Sequence, residues 1–254
     1  VARRLRFIGK AADRVQEDAL RMLRYCRFSI DYSIGNYDSD AIQALNSFAV
    51  LATRLSGERV AQELSKIFSH ERCAPAIDLL SQTGLDKSSL GCPLLRTAMP
   101  SNPQDFRLVM KDFSWLVLLA TKIAPADVTM VLKRLRLSRA QQKFFRQLAQ
   151  SSSAQIFAQL SAPNWRQSAF FMERRAAAYY ARAAWSLGQV FDRQHYLTLL
   201  QWQPPKLPVS GADLLSHGVD NGQALGQMLG SAEKLWVQSD FNMSKSELLA
   251  ALVK

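Results

Sequence analysis

The sequence predicts an all-α protein. Apolar residues recur three and four apart along most of the chain, the spacing that places them on one face of a helix. Almost nothing shows the strict alternation of a half-buried strand. No segment repeats at a fixed period, which argues against a solenoid. The 254 residues are 48% hydrophobic, enough to fill a substantial core in two or three small domains or one elongated helical body.

Arg3 to Ile8 reads as a short extended piece closed by Gly9, and the first long helix spans about Arg14 to Ser29. Leu20, Leu23 and Phe28 form its buried side. Asp31 to Asp40, with Gly35 and Asn36, reads as a loop, and Ala41 to Leu55 returns to helical spacing. Ser56 is a suitable N-cap for the next helix, whose Val60, Leu64, Ile67 and Phe68 make a continuous apolar stripe. Asn102-Pro103 fits a cap and first helical turn, leading to an apolar helix over Phe106 to Ile123. Ala126 to Leu135 and Arg139 to Gln150 form a helix pair with Phe144, Phe145 and Leu148 as its core, and Ser138 with Gln141 makes a capping box. Ser151 to Ser153 is a polar break. Arg166 to Gln189 reads as one Ala-rich helix, and Pro204-Pro205 ends the helix after it. In the last part Ser210 caps a short helix, Asp220 and Gln223 are placed to cap another, and Ser244 with Glu247 opens the final one. Gly222, Gly226 and Gly230 lie four apart on one helical face. That spacing fits either phosphate bound at a helix N-terminus or tight packing against another backbone.

The net charge is +11, and it is concentrated. Residues 1–30 carry a net +5 and residues 133–146 a net +6, so the rest of the chain is neutral overall. Such clusters are the footprint of a phosphate-backbone binder. Lys133, Arg134, Arg136, Arg139 and Lys143, with Arg146, spread over the helix pair and are the candidate RNA-binding residues. The same pair also has the outline of a DNA-reading helix-turn-helix. Cys26, Cys73 and Cys92 are odd in number and lack C-x-x-C spacing, which fits a reducing cytoplasm rather than a disulfide framework or a zinc site. His70, His195 and His217 are scattered, so no metal site is expected in this chain. The longest apolar run, Trp115 to Ala120, is too short to span a membrane.

Asp13 to Phe28 carries the most specific chemistry, D-R-V-Q-E-D-A-L-R-M-L-R-Y-C-R-F. Glu17, Asp18, Arg21, Arg24 and Arg27 share roughly one helical face. Cytosine and adenine both present an exocyclic amine beside a ring-nitrogen acceptor. Asp18 can accept from the amine while Arg21 donates to the ring nitrogen. Uracil and guanine place a carbonyl where the amine would be, which leaves groups unpaired at about 1–3 kcal/mol each. Glu17, four residues before Arg21, is placed to orient it, and Arg24 and Arg27 are then available to phosphates. Spacing alone favours a solvated salt-bridge face, since such pairs are ordinary on helix surfaces.

The pattern E-D-x-x-R-x-x-R-x-x-R-F resembles motif D of the class II CCA-adding tRNA nucleotidyltransferase and bacterial poly(A) polymerase family. That family selects its nucleotide with these side chains rather than with a template. The resemblance continues in S-G-E-R at Ser56 to Arg59, similar to motif E. There Glu58 and Arg59 would support the motif D helix. It continues further in the Cys73–Leu85 helix with its G-L ending and in L-P-V-S-G-A-D-L-L from Leu207. It implies an elongated neck-body-tail array of helices. Residues 1–13 would be the end of a head or linker, 14–75 the neck, 76–150 the body and 151–254 a tRNA-binding tail. The family carries catalysis in an N-terminal head whose D-x-D pair binds two Mg2+ ions. Asp38-Ser39-Asp40 has those letters without the preceding Gly-Ser context and reads as a loop. The expectation is a C-terminal region without catalytic residues of its own and inactive alone. It would use CTP and ATP as substrates, need Mg2+ only with the head, and bind the tRNA acceptor arm. A motif D suited to both C and A favours CCA addition, with poly(A) addition and a non-enzymatic helical RNA-binding role as the alternatives.

Overall fold

The structure is a computed structural model that describes residues 4–33, 36–172 and 175–252. Its described residues form α-helices and two short 3-10 turns, with no strand beyond a single bridge between Leu5 and Tyr37. The chain divides into two compact units. One comprises Val1–Ile156 with Ala178–Arg193, the other Phe157–Ala177 with Gln194–Lys254.

The first unit opens with α1 (Ala11–Glu17) and α2 (Leu20–Tyr32), where one helix was expected. The break falls at Asp18, whose backbone is extended at φ −149° and ψ 104°. The cause is local. The Asp18 carboxylate accepts from the Leu20 amide at 3.1 Å, so the side chain starts a new helix instead of continuing the old one. Leu20, Leu23, Cys26 and Ile30 of α2 are buried. Phe28 is not: it is 38% exposed, on the flank of the helix, with the Arg27 guanidinium over its ring at 4.1 Å. The loop expected over Asp31 to Asp40 is shorter. The α2 helix runs on to Tyr32, and α3 (Ser39–Phe48) begins with Asp38 as its N-cap. The span to Leu55 is completed by a 3-10 turn, Ala49–Arg54.

The next helix, α4 (Gly57–Phe68), is capped by Ser56 and buries Val60, Leu64, Ile67 and Phe68 completely. It packs on α2, as does α5 (Ala74–Gln82), which is followed by α6 (Leu85–Leu90). The apolar span expected as one helix is two, α7 (Pro103–Asp112) and α8 (Leu116–Lys122), because the Ser114 hydroxyl caps the Leu116 amide and restarts the helix. The pair α9 (Val128–Leu135) and α10 (Arg139–Gln150) carries the expected Ser138–Gln141 capping box, with Phe145 and Leu148 fully buried. Gly57 sits so close to the end of α9 that a Cβ there would lie 2.1 Å from the Arg134 carbonyl oxygen.

Beyond α11 (Ser153–Ser161), the expected Ala-rich helix is assigned as α12 (Trp165–Met172) and α13 (Ala176–Leu187), with residues 173–174 outside the described set. Most of α13 belongs to the first unit; the second holds α12, α14 (Arg193–Gln201) from Gln194 on, α15 (Gly211–Ser216), α16 (Gln223–Gln238) and α17 (Lys245–Leu252). Its core is Val209, Leu214, Trp236 and Leu248, with Phe170 and Phe241 packed against them. Ser210 and Ser244 cap as expected. Asp220 does not: Gly222, at φ +95°, occupies the N-cap of α16 without a side-chain cap. No atom approaches within 4 Å of a Cβ built at Gly222, Gly226 or Gly230, so this glycine face is not a helix-packing surface among the described residues.

Candidate nucleotide and RNA site

The α1–α2 break brings the motif residues together with α4. Arg21 donates to the Glu17 carboxylate at 2.5 Å and to the Arg14 carbonyl at 2.9 Å, while Arg14 also donates to Glu17. The hydrogen bond from Arg21 holds the Glu17 carboxyl below its ordinary pKa, against the opposing effect of desolvation. Asp18 has a different set of partners. Its two oxygens accept from Arg59 of α4 at 3.2 and 3.3 Å, and one of them caps Leu20. Asp18 and Arg21 form no ion pair with each other, although both are only about one-quarter exposed. Each is therefore oriented by a separate neighbour. An acceptor and a donor fork remain able to meet a third group.

Arg24 and Arg27 are less available than their spacing suggests. Arg27 Nε donates to Glu63 at 2.8 Å, and Arg24 Nε lies 3.7 Å from the other oxygen of the same carboxylate. Lys66 adds a third cation at 3.2 Å. Burial works to raise the Glu63 pKa, but the hydrogen bonds from Arg27 and Lys66 outweigh it and hold the carboxyl below its ordinary value. Glu63 is 2% exposed and was not singled out in the sequence, where it reads as an ordinary acid on a helix. The signal was its position: Glu63 lies one residue before Leu64, on the edge of the apolar stripe.

A cavity of about 200 Å3 opens beside these groups, lined by Phe7, Tyr25 and Phe28 together with Arg14, Arg21 and Arg24. Phe7 stacks on Tyr25 with ring centres 5.2 Å apart. The Tyr25 hydroxyl donates to the Leu5 carbonyl at 3.1 Å and receives the Asp38 amide at 3.4 Å, tying the N-terminal segment and α3 to α2. Arg6 pairs with Asp38 at 2.8 Å. Flat apolar rings beside guanidinium groups suit a nucleobase and its phosphates.

The second basic cluster is divided by the fold. Lys133, Arg139, Lys143 and Arg146 are exposed and make no ion pair among the described residues. Arg134 is half-buried and donates to the Ala52 carbonyl at 3.0 Å, with its pKa lowered by burial. Arg136 reaches Glu58 at 3.3 Å, and Glu58 is held below its ordinary pKa first by a hydrogen bond from its own backbone amide and then by Arg136. Glu58 thus touches the α9–α10 corner, and of the two motif E residues only Arg59 touches the motif D residues.

A family profile described as "Probable RNA and SrmB- binding site of polymerase A" matches residues 38–95. The mouse protein named CCA tRNA nucleotidyltransferase 1, mitochondrial, is 28% identical over 99% of this chain, which spans 59% of that protein's length. The CCA-adding enzyme of Lactococcus lactis is 24% identical over 99% of the chain and 63% of its own length. Among solved structures, the Bacillus stearothermophilus CCA-adding enzyme in complex with CTP superposes with a TM-score of 0.71 at 22% identity, over 99% of this chain and 65% of that one.

Proposed function

We propose that the chain belongs to the class II CCA-adding tRNA nucleotidyltransferase and bacterial poly(A) polymerase family and is the nucleotide-selecting and tRNA-binding region of a CCA-adding enzyme. It spans 59% of the mouse relative, so the activity is proposed for the gene product that carries these residues. The observation that carries the reading is the separate anchoring of Asp18 and Arg21. Asp18 accepts from the amine of cytosine or adenine, and Arg21 donates to the adjacent ring nitrogen. Glu17 and Arg59 hold the pair in place, Glu58 steadies the neighbouring corner, and Arg24 and Arg27 face the triphosphate from beside Glu63. CTP and ATP are the substrates. Lys133, Arg136, Arg139 and Lys143 meet the tRNA acceptor arm, with Arg134 fixing the corner that presents them. Residues 14–75 act as neck, 76–150 as body and 151–254 as tail.

The residues present do not fit the family's Mg2+. Asp38 of the D-x-D caps Ala41 and pairs with Arg6, and no group of three His, Cys, Asp or Glu converges among the described residues. Nucleotidyl transfer is therefore assigned to a catalytic head and not to these 254 residues alone. A cytoplasmic location belongs to the same proposal, resting on three buried free thiols. No helix among the described residues is long and apolar enough to cross a membrane.

The test is a product-length assay on the gene product with tRNA lacking its 3′ end, CTP, ATP and magnesium, beside Asp18→Ala. Growth that stops after three nucleotides, with C/A selectivity lost in the variant, is the expected result. Unlimited adenylate addition would indicate poly(A) polymerase, and tRNA binding without incorporation a helical RNA-binding protein. Incorporation by the isolated chain would overturn the assignment of transfer to a head.

A further inference from the structure

The molecule has a second concave polar site, away from Asp18 and Arg21. A cavity of about 400 Å3 lies between α5, the extended segment Leu94–Met99 and the end of α8. Its lining includes Lys122, Arg96, Ser81, Gln82, Thr97 and Asp78.

Lys122 is the unusual member. It is 3% exposed, yet its ammonium makes no ion pair among the described residues. Its one hydrogen bond goes to the Thr97 carbonyl at 2.6 Å, which leaves two of three donors without a protein partner. Burial lowers its pKa, and the Asp78 carboxylate lies near enough to offset part of that without forming an ion pair. A lysine in the last turn of a helix complements the C-terminal dipole, but that role is met equally well by an exposed side chain. Burying an ammonium without a direct ionic partner is costly, and in native proteins such groups are paired or ligand-bound.

The surroundings suit an anion with several oxygens. The Leu94–Met99 segment is clipped to α8: the Leu95 amide donates to the Lys122 carbonyl at 2.7 Å and the Thr97 hydroxyl to the Thr121 carbonyl at 3.1 Å. This holds the wall in place before any ligand arrives. Arg96 is exposed on the same lining and adds a second cation, and Ser81 and Gln82 add neutral donors. We propose that this cavity is a phosphate-binding site in which Lys122 and Arg96 grip the phosphate of a nucleotide or of RNA. It stands independently of base selection at Asp18.

The experiment is an amide NMR titration of the whole chain, reading Ser81, Gln82 and Thr97. The probes are inorganic phosphate, AMP and tRNA lacking its 3′ end. All three resonances shift with at least one probe if the site exists. Shifts with tRNA but not with AMP identify RNA backbone as the source, and shifts with AMP and inorganic phosphate identify a free nucleotide. Lys122→Met weakens phosphate binding at least about tenfold, since it removes a charge-assisted bond. The same substitution raises the thermal midpoint, since it removes a buried charge that has no direct ionic partner. Arg96→Ala, at an exposed position, weakens binding with the midpoint unchanged. Silence of these resonances with every probe, or undiminished binding in both variants, would overturn the proposal.

Discussion

At Asp18 one carboxylate has two tasks. It ends α1 by capping Leu20, and it is held by Arg59 in a pose that leaves lone pairs for a ligand. Arg59 and Asp18 are both partly exposed, so their pair contributes at most about 1 kcal/mol to stability. Arg59→Ala should therefore leave the thermal midpoint almost unchanged while raising misincorporation of UTP and GTP, read by competition in the product-length assay. Equal discrimination in the variant and the parent would remove Arg59 from the site. Glu63 behaves differently, because it is buried among three cations. Its folded-state pKa lies below the ordinary 4.5, so the stabilisation is present above that value. It is lost as the pH falls through the depressed folded value. Glu63→Gln should cost about 1.5–3 kcal/mol at neutral pH, the range for hydrogen bonds to charged groups. Thermal midpoints across pH 2–7 should show the wild type converging on the variant only at the acid end; a constant gap would refute the assignment.

At the scale of elements, α4 is the organising helix of the first unit. Its buried face packs on α2, and its first residue touches the end of α9. The contact at Gly57 is close because Arg136 turns the chain in the left-handed region at φ 49° just after α9. A methyl group at Gly57 must displace backbone, not a flexible side chain. Gly57→Ala should cost about 1–3 kcal/mol, typical of overpacking, despite the better helix propensity of alanine. Urea denaturation measures it, and an unchanged midpoint would show that the corner can relax. The loss should also loosen the α9–α10 pair that presents Lys133, Arg139 and Lys143.

At the scale of the whole molecule, the proposed function makes the surplus charge the term that governs how the protein would meet RNA. Affinity for tRNA should fall linearly in log–log form as salt rises, because each phosphate contact releases counterions. Replacing Lys133, Arg139 and Lys143 together by Gln should reduce the magnitude of that slope by roughly 2–3, at about 0.7–0.9 per contact. Filter binding over a salt series reads this, and an unchanged slope would move the RNA elsewhere. Arg134→Gln should instead lower stability, since its guanidinium supports the Ala52 carbonyl.

The helical class, most caps and the motif residues were legible in the chain because they depend on local spacing. Ser56, Asn102, Ser138, Ser210 and Ser244 cap where the sequence places them, since a cap needs only its own next three residues. Boundaries inside apolar runs were not legible. Asp18 and Ser114 each restart a helix within a pattern that reads as continuous, because periodicity does not register a side chain that competes for a backbone amide. The sequence by itself determined the fold class, the two basic clusters and the placing of Glu17, Asp18 and Arg21 close together. Only the tertiary structure decided their partners. It gave Arg59 to Asp18, Glu63 to Arg27, Ala52 to Arg134, and a nearly unpaired burial to Lys122. Those pairs join residues 25 to 82 positions apart, and such distances are closed by packing, which no local pattern encodes.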